Sequence, residues 1–379
     1  MSRPTDHANI DLVQLHLDVA RRQAGGKIIW QPRIGCWYDD KRFAGIPLPE
    51  PYTGMTVPEI YRSLGVSARI YEYNDCFRRV EHPSVRFETE ELDELRTKTT
   101  VHTPVGKLTQ VMRKNTSNFG QYPEKWLVET EEDLHVMTWR EENCTWQWDQ
   151  EVFDKVTRTW HGLGAPCIFM PRVNVQSLYV NDMGVENAVY ALVDFPEEVE
   201  AYFRALDDSH DRMIDVINAS PIHIINFGDN VHSGTLPPRL FEKYVLPAYQ
   251  RRCEKLHSAN KFTYAHWDGD VKPLLPYARE TGLDGIEAIT PLPQGDVTME
   301  ETRKHLGDKM FLIDGIAAVL FDETFPEEEL IRQTKEIIDL FAPNLILGIS
   351  DEISSTGNIQ RIRTVTRIVD EYNAKISQG

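Results

Sequence analysis

Nowhere does this chain run to the roughly 18 consecutive apolar residues that a membrane span requires. Its first seven residues (MSRPTDH) also lack the apolar core of a signal peptide. Together these absences predict a cytoplasmic protein. Cysteine is sparse: Cys36, Cys76, Cys144, Cys167 and Cys253 are widely spaced and never form a C-x-x-C pair. A disulfide framework and a Cys-rich zinc site are therefore not expected, and the thiols read as reduced and structural. Positive charge is short as well, with 41 Lys and Arg against 59 Asp and Glu, a formal charge of −18. Nucleic-acid binding depends on clustered Lys and Arg neutralising phosphates, and no such cluster occurs, so neither nucleic acid nor an anionic membrane surface is an expected partner. No glycine-rich phosphate turn follows the first β-like run, which disfavours an open dinucleotide-binding sheet.

What the chain does contain is a regular alternation. At 379 residues, 41% hydrophobic and 26% charged, it has ample material for a core. Apolar, β-rich runs at 27–32, 66–73, 165–170, 222–227, 261–265, 283–289, 309–313 and 344–349 predict eight strands. The later ones are almost continuously apolar, as strands covered on both faces by helices must be. Amphipathic stretches at 196–217, 238–256, 272–281, 298–306, 326–341 and 358–374 predict helices between and after them; the first opens with Pro196 and two glutamates, a good helix start. Eight βα units at this spacing predict an α/β fold of the (β/α)8 TIM-barrel type, one domain over 1–379. Residues 1–26 read as an N-terminal helical segment. Residues 75–160 read as an insertion in which 86–109 and 125–128 look like a β-hairpin (TTVHTPVGKLTQV), followed by a helix over 131–146, suited to act as a lid or a subunit contact.

In such a barrel the active site lies at the C-terminal ends of the strands. The residues there are Arg33 after the first strand, Arg172 after the third, Asp229 and Asn230 after the fourth, and His266, Asp268 and Asp270 after the fifth. Glu287 follows on the sixth, Asp314 on the seventh, and Asp351 with Glu352 after the eighth. The densest piece is HWDGD, 266–270, where an imidazole and two carboxylates crowd the end of an apolar run. Desolvated charges of this kind need a partner. Three readings are open: a divalent metal on His266, Asp268, Glu287 and Asp351, a nitrogen and oxygen set that suits zinc; acid/base chemistry by the carboxylates and the imidazole; or structural pairing with Arg33, Arg172 or Lys272 at the rim.

The runs FGDN (227–230), LFEKYVLP (240–247), HWDGD (266–270), TGLDGIE (281–287) and GISDE (348–352) resemble the uroporphyrinogen decarboxylase superfamily. The resemblance implies a TIM barrel and one of two activities. Decarboxylases carry an R-Q-A-G-R motif after the first strand; here that place reads WQPRIGCWY, which weakens that reading. The other branch comprises corrinoid-dependent methyltransferases, whose members acting on a thiol bind zinc through H-x-C, a further Glu and a late Cys. Here His266 and Glu287 match, Asp268 stands in place of the Cys, and no Cys follows Cys253. Replacing sulfur by oxygen makes the site harder and points to an oxygen- or nitrogen-bound methyl group, as in O-demethylation of a methoxylated aromatic. The resemblance thus implies a methyltransferase moving a methyl group from a small methylated substrate to a corrinoid (cobalamin) carried by a partner protein, with zinc on His266, Asp268, Glu287 and Asp351. Asp229, Asn230, His266, Asp268 and Asp270 are the expected catalytic groups; Arg33, Trp37, Tyr38, Arg172 and Trp267 are expected to hold substrate, the aromatics as walls together with Trp30 and Tyr179. The alternatives are decarboxylation of a tetrapyrrole or small carboxylate and a non-catalytic binding subunit. Related barrels often dimerise, so a homodimer belongs among the expected assemblies.

Overall fold

The structure, a computed structural model, describes residues 11–378. In chain order the strands are β1 (Ile29–Trp30), β2 (Phe77–Val80), β3 (Arg86–Glu91), β4 (Arg96–Thr103), β5 (Gly106–Lys114), β6 (Gln121–Lys125), β7 (Thr145–Trp148), β8 (Cys167–Met170), β9 (Ile224–Val231), β10 (Phe262–Trp267), β11 (Gly285–Glu287), β12 (Phe311–Ala317) and β13 (Leu345–Ser350). Seven of them form one curled sheet in the order β1-β13-β12-β11-β10-β9-β8. Every neighbouring pair in it is parallel. β10, β12 and β13 are buried at every residue. That burial is why their sequences are continuous apolar runs rather than alternating ones.

Helices cover the outer face. Pro196–Ala219 begins with proline at a position whose N–H has no helical partner, and Glu197 and Glu198 follow in the first turn. Leu330, Ile337, Ile338 and Phe341 recur along Glu327–Phe341 at helical spacing and are all buried. The helix expected over 272–281 is a 3-10 stretch, Leu275–Glu280. In the N-terminal segment a helix occupies Leu12–Ala20; the rest of the expectation for residues 1–10 lies outside the described residues.

The sheet departs from a closed eight-stranded barrel. The second expected strand, 66–73, is not a strand among the described residues: 66–70 is buried without regular secondary structure, and Tyr71–Cys76 is a 3-10 turn. The segment nevertheless lies in the seam. Ser67 donates its N–H to the Trp30 carbonyl (3.0 Å), and Ala68 donates to the Leu163 carbonyl (2.6 Å). No ladder forms because the Ala68 carbonyl is taken by the side-chain amide of Gln31 (3.1 Å) instead of by a neighbouring strand. The result is a TIM-barrel-like half-barrel whose seven-stranded sheet is not closed.

The insertion is larger than a hairpin. TTVHTPVGKLTQV forms β4 and β5 as expected, but they are the centre of a four-stranded antiparallel sheet, β3-β4-β5-β6. The following helix, Glu131–Glu142, stops short of the expected end because β7 pairs with β2.

Candidate active site

A cavity of about 520 Å³ opens at the C-terminal ends of the parallel strands. It is lined by Arg33, Tyr71, Phe169, Met170, Pro171, Arg172, Asn181, Gly228, Asp229, Asn230, His266, Asp351 and Glu352. The insertion contributes none of these. Seven of the residues singled out from the sequence, Arg33, Arg172, Asp229, Asn230, His266, Asp351 and Glu352, therefore meet around one space.

Glu287 lies beneath His266 and organises the floor. In-register pairing of β10 with β11 sets the two side by side, and both side chains turn inward. Glu287 is fully buried. One of its oxygens receives Arg69 and Arg33 (3.2 Å from the latter), while the other receives the amide of Asn226 and lies 3.3 Å from His266 Nδ1. Arg69 continues to Asp314, with Nη2 donating to Oδ1 at 2.8 Å. Asp314 fits only because Gly348 faces it: a Cβ on Gly348 would stand 2.0 Å from Asp314 Oδ1. Arg33 also pairs with Asp351 and with Glu352 (3.4 Å), and Glu352 in turn accepts the Cys36 N–H at 2.8 Å.

These contacts set the charges. Burial alone would raise the Glu287 carboxyl, but Arg69, His266 and Arg33 outweigh it and hold the group far below the usual carboxylate range. Burial would lower the His266 imidazole; the negative charge of Glu287, reinforced by Asp268 and Asp351, reverses this and raises it to about 10. His266 is thus a cation at neutral pH. Burial raises Asp351, against the opposing pull of Arg33 and His266. Asp268 ends below its ordinary value because His266 outweighs its partial burial. Asp314 is raised by burial despite Arg69.

Several expected site residues lie elsewhere. Asp268 does not line the cavity, and its Oδ2 is 3.9 Å from His266 Nε2. Asp270 is exposed, and its carbonyl accepts from Ser233. Trp267 is the neighbour of His266 on a strand, so it points to the opposite face and packs edge-on against Phe241 (ring centroids 5.2 Å apart). Trp37 is buried against Tyr52, and Tyr38 lies beside Arg42, both on helix Gly35–Phe43 outside the cavity. Trp30 and Tyr179 are buried in the core. The expected aromatic wall is replaced by Tyr71 and Phe169, whose rings lie 4.9 Å apart. Asp229 lines the cavity, but both its oxygens are engaged, by the Val173 N–H (2.8 Å) and the Tyr249 hydroxyl (2.7 Å).

Sequence reasoning missed Arg69, Tyr71, Phe169 and Asn226. Arg69 carried a legible signal, a charged residue in the middle of an apolar run; the aromatics carried none, since each is indistinguishable from core.

Of the four residues expected to hold zinc, three converge: ligand atoms of His266, Glu287 and Asp351 lie within 4.8 Å of one another. His266 Nδ1 lies 3.3 Å from Glu287 Oε2 without a hydrogen bond, and Asp351 Oδ1 already faces Arg33 Nη1. Arg33, paired with both Glu287 and Asp351, competes for the same carboxylates.

A parallel half-barrel with a charged cavity at its carboxyl ends defines a TIM-barrel-like protein of the kind that binds small molecules there. Residues 177–372, more than half of the chain, match the family model described as uroporphyrinogen decarboxylase (URO-D), and the chain belongs to that family. No curated protein matches it significantly. Among solved structures it is similar to a methyltransferase from Methanosarcina mazei, with 13% identity, 96% of this chain and 98% of that chain covered, and a TM-score of 0.56. That likeness is one of fold. A type I 3-dehydroquinate dehydratase from Clostridium difficile matches at 10% identity over 59% of this chain and 75% of that one, with a TM-score of 0.33. A GH18 chitinase from Pseudoalteromonas aurantia matches at 10% over 68% and 89%, with a TM-score of 0.34. Among the described residues no helix is long and apolar enough to cross a membrane.

Proposed function

We propose that the protein is a methyltransferase that takes a methyl group from a small O- or N-methylated compound, best a methoxylated aromatic, and passes it to a corrinoid held by a partner protein. The observation that carries this reading is His266, a cavity-lining imidazole held protonated by a buried glutamate. Family membership and a whole-chain fold likeness to a methyltransferase support it. An ether-bound methyl is a poor electrophile, so the site must stabilise negative charge on the departing oxygen. With Nδ1 of His266 beside Glu287, Nε2 is the atom that delivers a proton. As the O–CH3 bond breaks, its electron pair stays on oxygen and takes that proton. A phenol ionises near 10, like tyrosine, and His266 is raised to about 10. The corrinoid supplies the nucleophile that accepts the methyl group. Tyr71 and Phe169 offer the aromatic faces for the donor.

A second reading has its own support in the convergence of ligand atoms of His266, Glu287 and Asp351 within 4.8 Å of one another. There, His266, Glu287 and Asp351 would hold zinc, which would supply Lewis acidity; metal analysis of the purified protein distinguishes the two. Decarboxylation of a tetrapyrrole with many carboxylates has less support, because Arg33, one of the two cavity arginines, is already paired with Glu287, Asp351 and Glu352.

The test is methyl transfer from a methoxylated aromatic to a reduced corrinoid protein. His266→Gln is expected to lose about 10²–10⁴-fold in rate, the usual worth of a general acid. Near-normal rates in both His266→Gln and Glu287→Gln defeat the assignment.

A further inference from the structure

We infer that the donor is an anion, an aromatic carboxylate whose acid group is held by Arg172 while its methylated end faces His266; this deepens the reading above and rests on it only for the identity of the methyl group. Two arginines line the cavity, and they differ. Arg33 is paired with Glu287, Asp351 and Glu352. Arg172 makes no salt bridge among the described residues, and its one side-chain hydrogen bond goes from Nη1 to Asn181 Oδ1 at 3.3 Å. Its Nε is buried without any hydrogen-bond partner. Asp229 is the carboxylate whose charge reaches Arg172, yet both Asp229 oxygens are already accepting from Val173 and Tyr249. A half-buried guanidinium with an idle donor in a ligand-sized cavity lacks the partner such a group ordinarily has.

The backbone around Arg172 is built to hold it there. The carbonyl of Pro171, just before it, accepts from Arg252 at 2.9 Å, and the N–H of Val173, just after it, is held by Asp229 at 2.8 Å. Arg252 and Asp229 are themselves buried. Asp229 is therefore a positioning residue, acting through the loop that presents Arg172. The cavity is polar along its length: Arg172 and Asn181 belong to the segment after β8, whereas Asp351 and Glu352 belong to the segment after β13. Asp351 and Glu352 are already paired with Arg33, and His266 with Glu287, so Arg172 is the cavity cation without a carboxylate partner and orients a donor that carries a carboxylate at one end and a methoxy group at the other. Tyr71 and Phe169 supply the apolar surface that makes an aromatic ring the fitting spacer.

The experiment is calorimetric titration of the purified full chain with 4-methoxybenzoate, benzoate and the neutral 4-methoxybenzyl alcohol. The wild type is expected to prefer 4-methoxybenzoate over the alcohol by about tenfold or more, the worth of one charge-assisted hydrogen bond. Arg172→Gln should abolish that preference without weakening the alcohol, and Arg172→Lys should keep part of it. Unchanged thermal midpoints in both variants show that the fold is intact. Binding of neither carboxylate by the wild type, equal binding of acid and alcohol, or survival of the preference in Arg172→Gln overturns the inference. Preference for both acids with no methyl transfer to a reduced corrinoid protein leaves the anion site standing and rejects the proposed function instead.

Discussion

At the scale of single residues, Glu287 decides the state of the site. It balances Arg33 and Arg69 and holds the proton on His266. Glu287→Gln keeps the shape but leaves buried guanidinium charge without its counter-ion, for which a loss of about 3–5 kcal/mol is expected by chemical denaturation. The same variant removes the main cause of the raised His266 pKa, so the alkaline limb of the rate profile should move to lower pH. In the wild type, activity that needs the protonated imidazole should be flat through neutral pH and fall as pH passes about 10. Stability follows the same sign: the folded pKa lies above the ordinary 6.5, so the contribution of His266 is complete below 6.5 and is lost as pH rises through about 10. A rate that falls near pH 6.5 instead contradicts this account. His266 and Glu287 were legible in the sequence because charges at strand ends stand out against apolar runs. Trp267 misled for a plain reason: adjacency in sequence places a strand residue on the opposite face from its neighbour.

Among the elements, seven of the eight expected strands were legible from their apolar runs, and the eighth was not for a local reason. The run 66–73 has the composition of a strand, but Gln31 captures the Ala68 carbonyl and Arg69 turns inward to Gln31, Glu287 and Asp314. Side-chain capture of a backbone acceptor leaves no periodic signature, so no pattern in the sequence could announce it. The seam is closely packed: a Cβ on Gly164 would stand 2.2 Å from the Ala68 carbonyl oxygen, a backbone atom with little freedom to move. Gly164→Ala should therefore destabilise the protein by about 1–3 kcal/mol, the usual cost of overpacking, and should lower ligand affinity because the seam carries Arg69 and Tyr71. A thermal midpoint equal to that of the wild type would show the seam to be looser than this geometry requires. The insertion was legible as β structure over 86–109 and a helix; that 86–91 is a strand of its own and that 121–125 adds a fourth was not, because strands this exposed have no apolar face to reveal them.

For the whole molecule, the question is how the cavity and the insertion relate. No residue of the four-stranded sheet lines the cavity, and β3 is exposed at every position with one edge unpaired. Few buried apolar contacts and an open edge mean low local stability, whereas the parallel strands are buried along their length. Hydrogen exchange should accordingly show β3 amides exchanging well before those of β10, β12 and β13. Saturating 4-methoxybenzoate should slow exchange in the segment around Arg172 and Asn181 and leave β3 to β6 unchanged, because the ligand contacts reach the first and not the second. Added corrinoid protein is the complementary probe: protection confined to the insertion would make that sheet the docking surface and separate partner recognition from substrate recognition along the chain. Protection of β3 to β6 by the small carboxylate alone would instead mean that the sheet closes over the cavity as a lid, and the two recognition events would then be coupled.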